Sequence, residues 1–199
     1  MTVKSRWTAG LLAVATTLAA SVAQAHPFGE HGAGLVDGLV HPFGGVDHLL
    51  AMVAVGLWAA QRGGRAVWAL PASFMAAMAA GGLLGTAGIG LPMVETGIAA
   101  SVMVLGAAVA LALRPALWFG MATVAAFALF HGHAHGTELP AAASPLLYGL
   151  GMLAATAVLH ALGVAAARGG LSGFARLGSG GVRIAGAAVA ASGLLLVVG

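Results

Sequence analysis

Six apolar segments recur along the chain, and short polar or glycine-rich connections separate them. They lie at about 35–61, 67–86, 91–113, 115–133, 145–167 and 180–198. Most of them are close to the roughly 20 residues that an α-helix needs to cross the hydrocarbon core of a bilayer. The pattern therefore predicts an all-α membrane protein with six transmembrane helices. Three helices followed by three in the opposite orientation would be compatible with a 3+3 inverted repeat, although the two halves show no convincing sequence match.

The amino-terminal segment has the pattern of a secretory signal peptide. Lys4 and Arg6 precede an apolar run, and a small-x-small cleavage pattern follows that run and ends at Ala25. An uncleaved transmembrane helix is the alternative, but the run is short for a span and ends at a good cleavage site. We therefore expect residues 1–25 to be a cleaved signal peptide and residues 26–199 to form a single six-helix transmembrane domain that starts outside the cytoplasm.

The charges of the predicted mature chain divide between the two sides of the membrane. With residue 26 outside, three connections face inward, and they hold every arginine of the mature chain: Arg62, Arg65, Arg114, Arg168, Arg176 and Arg183. The outward side holds seven of the eight histidines together with the acidic residues Glu30, Asp37, Asp47, Glu95 and Glu138. This distribution follows the positive-inside rule. It predicts a multi-pass protein of the bacterial inner membrane with both termini in the periplasm.

The composition excludes several classes of protein and of binding site. With 60% hydrophobic and 7% charged residues, the chain is too apolar for a soluble domain. It has no cysteine, which excludes disulfides and thiolate metal ligands. The few basic residues are scattered, so they do not indicate a nucleic-acid partner. No glycine-rich phosphate loop with its lysine is present, so we expect no ATPase within the chain. The eight histidines equal the lysines and arginines combined in number, and they are the first indication of function.

One cluster of candidate ligands, His41-Pro-Phe-Gly-Gly-Val-Asp47-His48, leads into the first apolar segment. Proline suits the first turn of a helix, so we expect His41 at the helix mouth and His48 about two turns inward. Adjacent side chains on a regular helix point about 100° apart, so Asp47 and His48 could bind one ion only if the helix is distorted, for which the two glycines are suited. Histidines merely hydrogen-bonded within the bundle are the alternative. A carboxylate beside an imidazole in a lipid-embedded segment favours a functional role.

The second cluster, Phe-His131-Gly-His133-Ala-His135-Gly-Thr-Glu138, lies at the outward end of the fourth segment. If the helix continues this far, His131, His135 and Glu138 form one stripe at i, i+4 and i+7, while His133 points away. Imidazole with carboxylate suits Ni, Co, Zn, Cu or Fe far better than Mg or Ca. A solvated loop is the alternative, and for His133 it is as well supported as a role.

These two motifs, in a signal-bearing six-helix chain of this length, closely resemble those of the HupE/UreJ family of nickel permeases. That family accompanies hydrogenases and ureases, and some members are thought to move cobalt. The resemblance implies that His41, Asp47 and His48 in the first motif, and His131, His135 and Glu138 in the second, handle the metal. It further implies a non-enzymatic permease that imports Ni²⁺ from periplasm to cytoplasm for metalloenzyme maturation, with no permanently bound cofactor.

Four residues outside the motifs are weaker candidates. His26 and His31, near the new amino end, could capture metal outside the membrane or belong to a solvated tail. Glu95 suits the first turn of the third predicted helix without any function, and could otherwise be an outer ligand. His160 lies within the fifth segment, where it is either a deeper relay point for the metal or a neutral ring bonded to a carbonyl of a neighbouring helix. We expect the methionines of the spans to fill gaps between helices.

Several alternatives remain open from the sequence. Ni²⁺ and Co²⁺ accept the same ligands, so a Co²⁺ permease is one of them. A membrane receptor or metallochaperone that binds metal without transporting it is another. An intramembrane metallohydrolase is disfavoured because the chain lacks a His-Glu-x-x-His motif, and haem held by two histidines would give a Soret band. The sequence predicts the lipid bilayer and a divalent transition-metal ion as partners, and leaves the oligomeric state undefined.

Overall fold

The computed structural model describes residues 34–139, 144–169 and 178–198, and every regular element within these ranges is helical. The α-helices are α1 (Leu35–Val40), α2 (Val46–Arg62), α3 (Ala66–Thr86), α4 (Val94–Ala110), α5 (Leu117–Thr137), α6 (Pro145–Ala167) and α7 (Gly178–Val198), with a 3₁₀ turn (His41–Phe43) between α1 and α2. The predicted all-α class is therefore confirmed for this part of the chain. The predicted signal peptide 1–25, the candidates His26 and His31, and Arg176 lie outside the described residues.

Each predicted apolar segment coincides with one helix or with a broken pair of helices. Helices α3, α5, α6 and α7 are 21–23 residues long and apolar enough to cross a membrane. The segment predicted at 91–113 forms a shorter helix, because α4 has only 17 residues. Helix α1 with its 3₁₀ turn, and α2, pass the same test only as a pair, and the pair is bent by 85°. The protein is thus a multi-pass membrane protein, while six complete crossings remain a prediction.

The break in the first segment has a local cause. Pro42 lies in the 3₁₀ turn. In this turn the His41 carbonyl accepts a hydrogen bond from the Gly44 amide at 2.9 Å. Gly45 then adopts an extended backbone conformation (φ −105°, ψ 116°) and caps α2, which begins at Val46. The first segment is therefore not one continuous helix, as its apolar pattern had suggested. His48 consequently lies in the first turn of α2 and not two turns inside a helix.

Glycines bring the backbones of α3 and α5 into direct contact. A Cβ atom added to Gly132 would collide with the carbonyl oxygen of Met78, and one added to Gly136 would collide with that of Gly82. Small residues at such positions allow close helix packing in lipid, where the hydrophobic effect cannot drive association. Gly149 on α6 differs, because a Cβ atom added there would meet open space. Two of the glycines in the second motif thus hold α5 against α3.

Arginines gather at the opposite end of the bundle from the motif histidines. Helix α2 carries His48 in its first turn and Arg62 at its last residue. At the arginine end, Arg114 Nη2 donates to the Gln61 carbonyl at 2.9 Å, and Arg183 Nε donates to the Ala110 carbonyl at 2.8 Å. Arg114, Arg168 and Arg183 line one cavity of about 480 Å³. The bundle therefore has a histidine end and an arginine end, as the charge pattern predicted.

Candidate metal site

Four histidines from the two motifs lie in contact with one another at the histidine end. The ring centroids of His48 and His135 are 4.4 Å apart, and those of His48 and His131 are 4.6 Å apart. His41 joins from the 3₁₀ turn, with its ring centroid 4.8 Å from that of His135. We call these four residues the histidine cluster. The break before α2 and the last two turns of α5 therefore bring the two sequence motifs together.

The histidine cluster contains several buried ring nitrogens without a hydrogen-bond partner. His131 and His135 are 0% and 6% exposed. Among the described residues, no partner contacts His48 Nε2, His131 Nδ1 or either ring nitrogen of His135. Buried polar atoms are nearly always hydrogen-bonded in folded proteins, so a group of such atoms needs an explanation. Lone pairs directed into one cluster are what a bound cation requires.

Asp47 determines which nitrogen of His48 carries the proton. Its Oδ1 atom lies 2.8 Å from His48 Nδ1 and 2.7 Å from the His48 backbone nitrogen. Since a carboxylate can only accept, Nδ1 donates and the lone pair is on Nε2. A Cβ atom at Gly45 would lie 2.9 Å from Asp47 Oδ1 and 3.1 Å from His48 Nδ1, so the glycine leaves room for this pair. A carboxylate behind the imidazole fixes the ring and increases its basicity toward a metal.

Ser101 on α4 determines which ring nitrogen of His131 carries the proton. The Ser101 Oγ atom is 2.6 Å from the Ile98 carbonyl oxygen and 2.7 Å from His131 Nε2. The hydroxyl proton must lie toward the carbonyl, because two acceptors would otherwise face each other at 2.6 Å. His131 Nε2 therefore carries a proton and donates to Ser101, which leaves the Nδ1 lone pair unused. Both His48 and His131 are thus held in a defined tautomer.

The predicted stripe on α5 is confirmed as a geometry. Helix α5 continues to Thr137, so His131 and His135 are on one face, and Glu138 follows directly after the helix. One ligand atom from each of His41, His135 and Glu138 lies within 4.8 Å of the other two. Glu138 is exposed, whereas His135 is buried. We call these three residues the outer group; His135 is shared between the outer group and the deeper pair of His48 and His131.

The weaker candidates have separate environments. His133 points away from the cluster, as predicted, and its Nε2 atom bonds to the Ile89 carbonyl at 2.8 Å. It is only 4% exposed, so the alternative of a solvated loop residue is wrong. Glu95 is exposed in the first turn of α4 and supplies no atom to the outer group. His160 is buried in α6, and among the described residues no carbonyl bonds to its ring.

Three described residues that lie against the histidine cluster were not predicted from the sequence. They are Ser101, Tyr148, whose ring centroid is 5.7 Å from that of His41, and Phe74, whose ring centroid is 5.7 Å from that of His131. Tyr148 is the only tyrosine of the chain, and Ser101 places a hydroxyl within an apolar helix, so each had a weak signal. Phe74 had none, because a phenylalanine in an apolar helix is ordinary.

The donor set of the cluster favours a late first-row divalent cation. Neutral imidazoles bind Ni²⁺, Co²⁺, Zn²⁺ and Cu²⁺, whereas Mg²⁺ and Ca²⁺ prefer a shell of oxygen ligands. Asp47 and Glu138 can balance the double positive charge, and Asp47 is within hydrogen-bond distance of His48. The site combines buried nitrogen donors with an exposed carboxylate at its mouth.

Comparisons with known proteins agree with the motifs. The model of the family described as HupE / UreJ protein matches residues 14–196. Protein HupE of Rhizobium leguminosarum bv. viciae is 48% identical over 192 residues, and the match covers 94% of this chain and 97% of that protein. No solved structure matches the chain significantly.

Proposed function

The chain belongs to the HupE/UreJ family of membrane accessory and transport proteins, which are not enzymes, and we propose that it is a permease that imports Ni²⁺ from the periplasm into the cytoplasm. The observation that carries the proposal is the histidine cluster, in which four ring nitrogens of His48, His131 and His135 have no hydrogen-bond partner within the described part of the chain. The proposal includes a bacterial inner-membrane location, six crossings after removal of a signal peptide, both termini in the periplasm, and delivery of the metal for metalloenzyme maturation.

The arrangement of the cluster supports capture in two steps. The exposed carboxylate of Glu138 and the ring of His41 meet an incoming ion at the mouth, where the ion keeps part of its water shell. His135 belongs to the outer group and also contacts His48, with ring centroids 4.4 Å apart. An ion can therefore move to the deeper pair while it remains bound to His135. Passage through a shared ligand avoids a fully unligated dication inside the protein, which would be costly.

The membrane potential is a sufficient driving force for this transport. Moving one elementary charge inward across 100 mV contributes about 2.3 kcal/mol, so a dication gains roughly 4.6 kcal/mol. Arginines at the opposite end of the bundle, among them Arg62 and Arg114, agree with a cytoplasmic location of that end. We propose that the ion enters at the histidine end and leaves at the arginine end.

Uptake of radioactive ⁶³Ni²⁺ into cells that lack their own nickel importers tests the function. We expect cells that express the protein to accumulate nickel above cells with an empty vector, and excess unlabelled Ni²⁺ to block uptake more strongly than excess Co²⁺. Stronger blocking by Co²⁺, with accumulation of ⁵⁷Co²⁺, would identify a cobalt permease instead. If neither metal accumulates although the protein is in the membrane, the permease proposal is wrong and a non-transporting receptor takes its place.

We expect nickel uptake to weaken as the external pH falls below about 6. A protonated imidazole has no lone pair to offer a metal, so protons compete with Ni²⁺ for the ligands and uptake should fall as the pH falls. The measurement uses proteoliposomes with a fixed potassium diffusion potential, so that the driving force does not change with pH. Uptake that stays constant from pH 7.5 to 5.5 would count against imidazole ligands.

Replacement of Ser101 by alanine should lower uptake about 10-fold, within the range that is usual for loss of an outer-shell partner of a metal ligand. Without the hydroxyl, His131 can adopt the tautomer with its proton on Nδ1, the nitrogen that now faces the cluster. Ser101→Thr retains the hydroxyl and should recover most of the activity. The initial rate of uptake at several Ni²⁺ concentrations distinguishes a tautomer change from a packing effect, because a tautomer change raises KM. Equal losses in the alanine and threonine variants would indicate a packing effect instead.

A further inference from the structure

His160 lies inside the bundle without any polar partner among the residues that the structure describes. It is 2% exposed, and neither of its ring nitrogens has a hydrogen bond. Its nearest aromatic neighbour is Phe74, with ring centroids 5.2 Å apart and an edge-to-face arrangement. An imidazole carries at least one N–H donor and has two polar atoms, so its burial without a partner is unfavourable. His160 is not part of the histidine cluster, so the cluster does not explain why an imidazole is buried here.

Two methionine sulfur atoms contact Thr156, which lies one helical turn before His160 on α6, on the side of the histidine cluster. Thr156 precedes His160 by four residues on α6, so the two side chains share a face. The Thr156 hydroxyl contacts Met52 Sδ at 3.4 Å and Met78 Sδ at 3.7 Å. Met52 in turn follows His48 by four residues on α2. The two thioethers therefore lie between the level of His48 and the level of His160.

Phe74 connects the histidine cluster with His160. Its ring centroid is 5.7 Å from that of His131 and 5.2 Å from that of His160. It precedes Met78 by four residues on α3, so the aromatic ring and the thioether are neighbours on one face. Phe74 is fully buried. An apolar ring thus lies between the deepest imidazole of the cluster and His160, on the face of α3 that also carries Met78.

We propose that Met52, Met78 and His160 form an inner binding station for the ion, one to two helical turns deeper than the histidine cluster. The inference rests on the proposed function, because only a transported ion would need to travel this far. Imidazole suits Ni²⁺, Cu²⁺ and Zn²⁺, the softer thioether sulfur adds only weak binding to such ions, and neither ligand suits Mg²⁺ or Ca²⁺. Among the described residues no carboxylate bonds to the ring of His160, so the inner station binds the ion more weakly than the cluster. Weak binding suits a position from which the ion must leave quickly.

The number of bound ions per chain tests the inner station directly. Protein purified without a polyhistidine tag is dialysed against increasing concentrations of NiCl₂, and bound nickel is measured by elemental analysis. We expect His160→Gln to bind one ion fewer per chain than the wild type and to lose only the weaker class of site. His133→Gln is the matched control, because His133 is equally buried and its ring bonds to the Ile89 carbonyl; it should retain the wild-type number.

Sulfur coordination provides an independent measurement. The chain has no cysteine, so any sulfur bound to nickel must come from a methionine. X-ray absorption at the nickel edge should show sulfur in saturated wild-type protein and lose it in the double variant Met52→Leu, Met78→Leu. Leucine and methionine have similar volumes, so this variant should fold even if His160→Gln does not. Wild-type spectra without sulfur, or a His160→Gln variant that folds and binds as many ions as the wild type, would overturn the proposal.

The same variants distinguish the inner-station proposal from the permease proposal. If the wild type transports no nickel but His160→Gln still loses one bound ion, the inner station exists and the permease proposal fails. If the wild type transports nickel and His160→Gln keeps both its uptake and its number of ions, the permease proposal holds and the inner station does not exist.

Discussion

Replacement of His131 by glutamine is expected to reduce nickel uptake on the order of 100-fold or more, with the protein still in the membrane. Loss of an outer-shell partner alone lowers metal affinity or activity about 10–100-fold, and His131 is itself a predicted ligand. Its Nδ1 atom has no hydrogen-bond partner in residues 34–139, 144–169 and 178–198, and its Nε2 atom is held by Ser101. A glutamine amide can still donate to the Ser101 hydroxyl, so the packing against α4 should persist while the imidazole lone pair is lost. Uptake of ⁶³Ni²⁺ at matched membrane expression measures the effect.

A neighbouring histidine on the same helix serves as the control. His133 is buried like His131, but its Nε2 atom bonds to the Ile89 carbonyl outside the cluster. We therefore expect His133→Gln to retain uptake within about twofold, since most substitutions away from such a site have small effects. His48→Ala should match His131→Gln, and Asp47→Asn should lose about 10-fold because the amide keeps a hydrogen bond but no charge. Equal losses at His131 and His133 would contradict a specific metal role for the cluster.

Replacement of Gly132 by alanine should have the largest effect on stability. The added Cβ would collide with the Met78 carbonyl oxygen, which belongs to the backbone of α3 and cannot rotate away. Overpacking a tight interface costs roughly 1–3 kcal/mol and sometimes more, and a backbone collision belongs at the upper end. At about 3 kcal/mol, the midpoint of heat denaturation would fall by roughly 6–12 °C for a chain of this size. Recovery of monodisperse protein after heating in detergent, measured by size-exclusion chromatography, gives this midpoint.

Gly149 on α6 is the matched control, because nothing lies within 4 Å of a Cβ added there. Alanine favours a helix over glycine by about 1 kcal/mol, so Gly149→Ala should leave the midpoint unchanged or raise it by a few degrees. The two substitutions are chemically identical and differ only in what the new methyl group meets. If both substitutions lowered the midpoint equally, close contact between α3 and α5 would not be the reason that the second motif requires glycine.

Much of the candidate site could be predicted from residue spacing alone. The i, i+4 and i+7 positions of His131, His135 and Glu138 needed only the assumption of a continuous α5, which extends to Thr137. The direction of His133 followed from the same helical period. These predictions succeeded because the positions of side chains around one helix depend only on local geometry. The environment of His133 was harder to predict, because its burial depends on the distant α3–α4 connection.

The first apolar segment shows where local reasoning failed. Its hydrophobic pattern predicts one helix over 35–61, yet Pro42 and the glycines after it divide the segment with a bend of 85°. The residues that break a helix were visible, but the size and direction of the bend depend on how α1 and α2 pack on α6. Gly38 contacts the backbone of Tyr148, and Gly56 contacts that of His160. Without these contacts the histidine at the mouth could not be placed beside α5.

The sequence by itself determined the all-α membrane class, the two histidine motifs and the family, because each depends on residue types and spacings within short stretches of chain. Only the tertiary structure decided that His48 and His131 meet, that Ser101 bonds to His131, and that Met52, Met78 and Phe74 lie between the cluster and His160. These contacts join helices far apart in the chain, and several are set by glycines that let two backbones touch. Hydrophobic patterns say which helices are buried in lipid, but the fit between particular helix surfaces selects the neighbours.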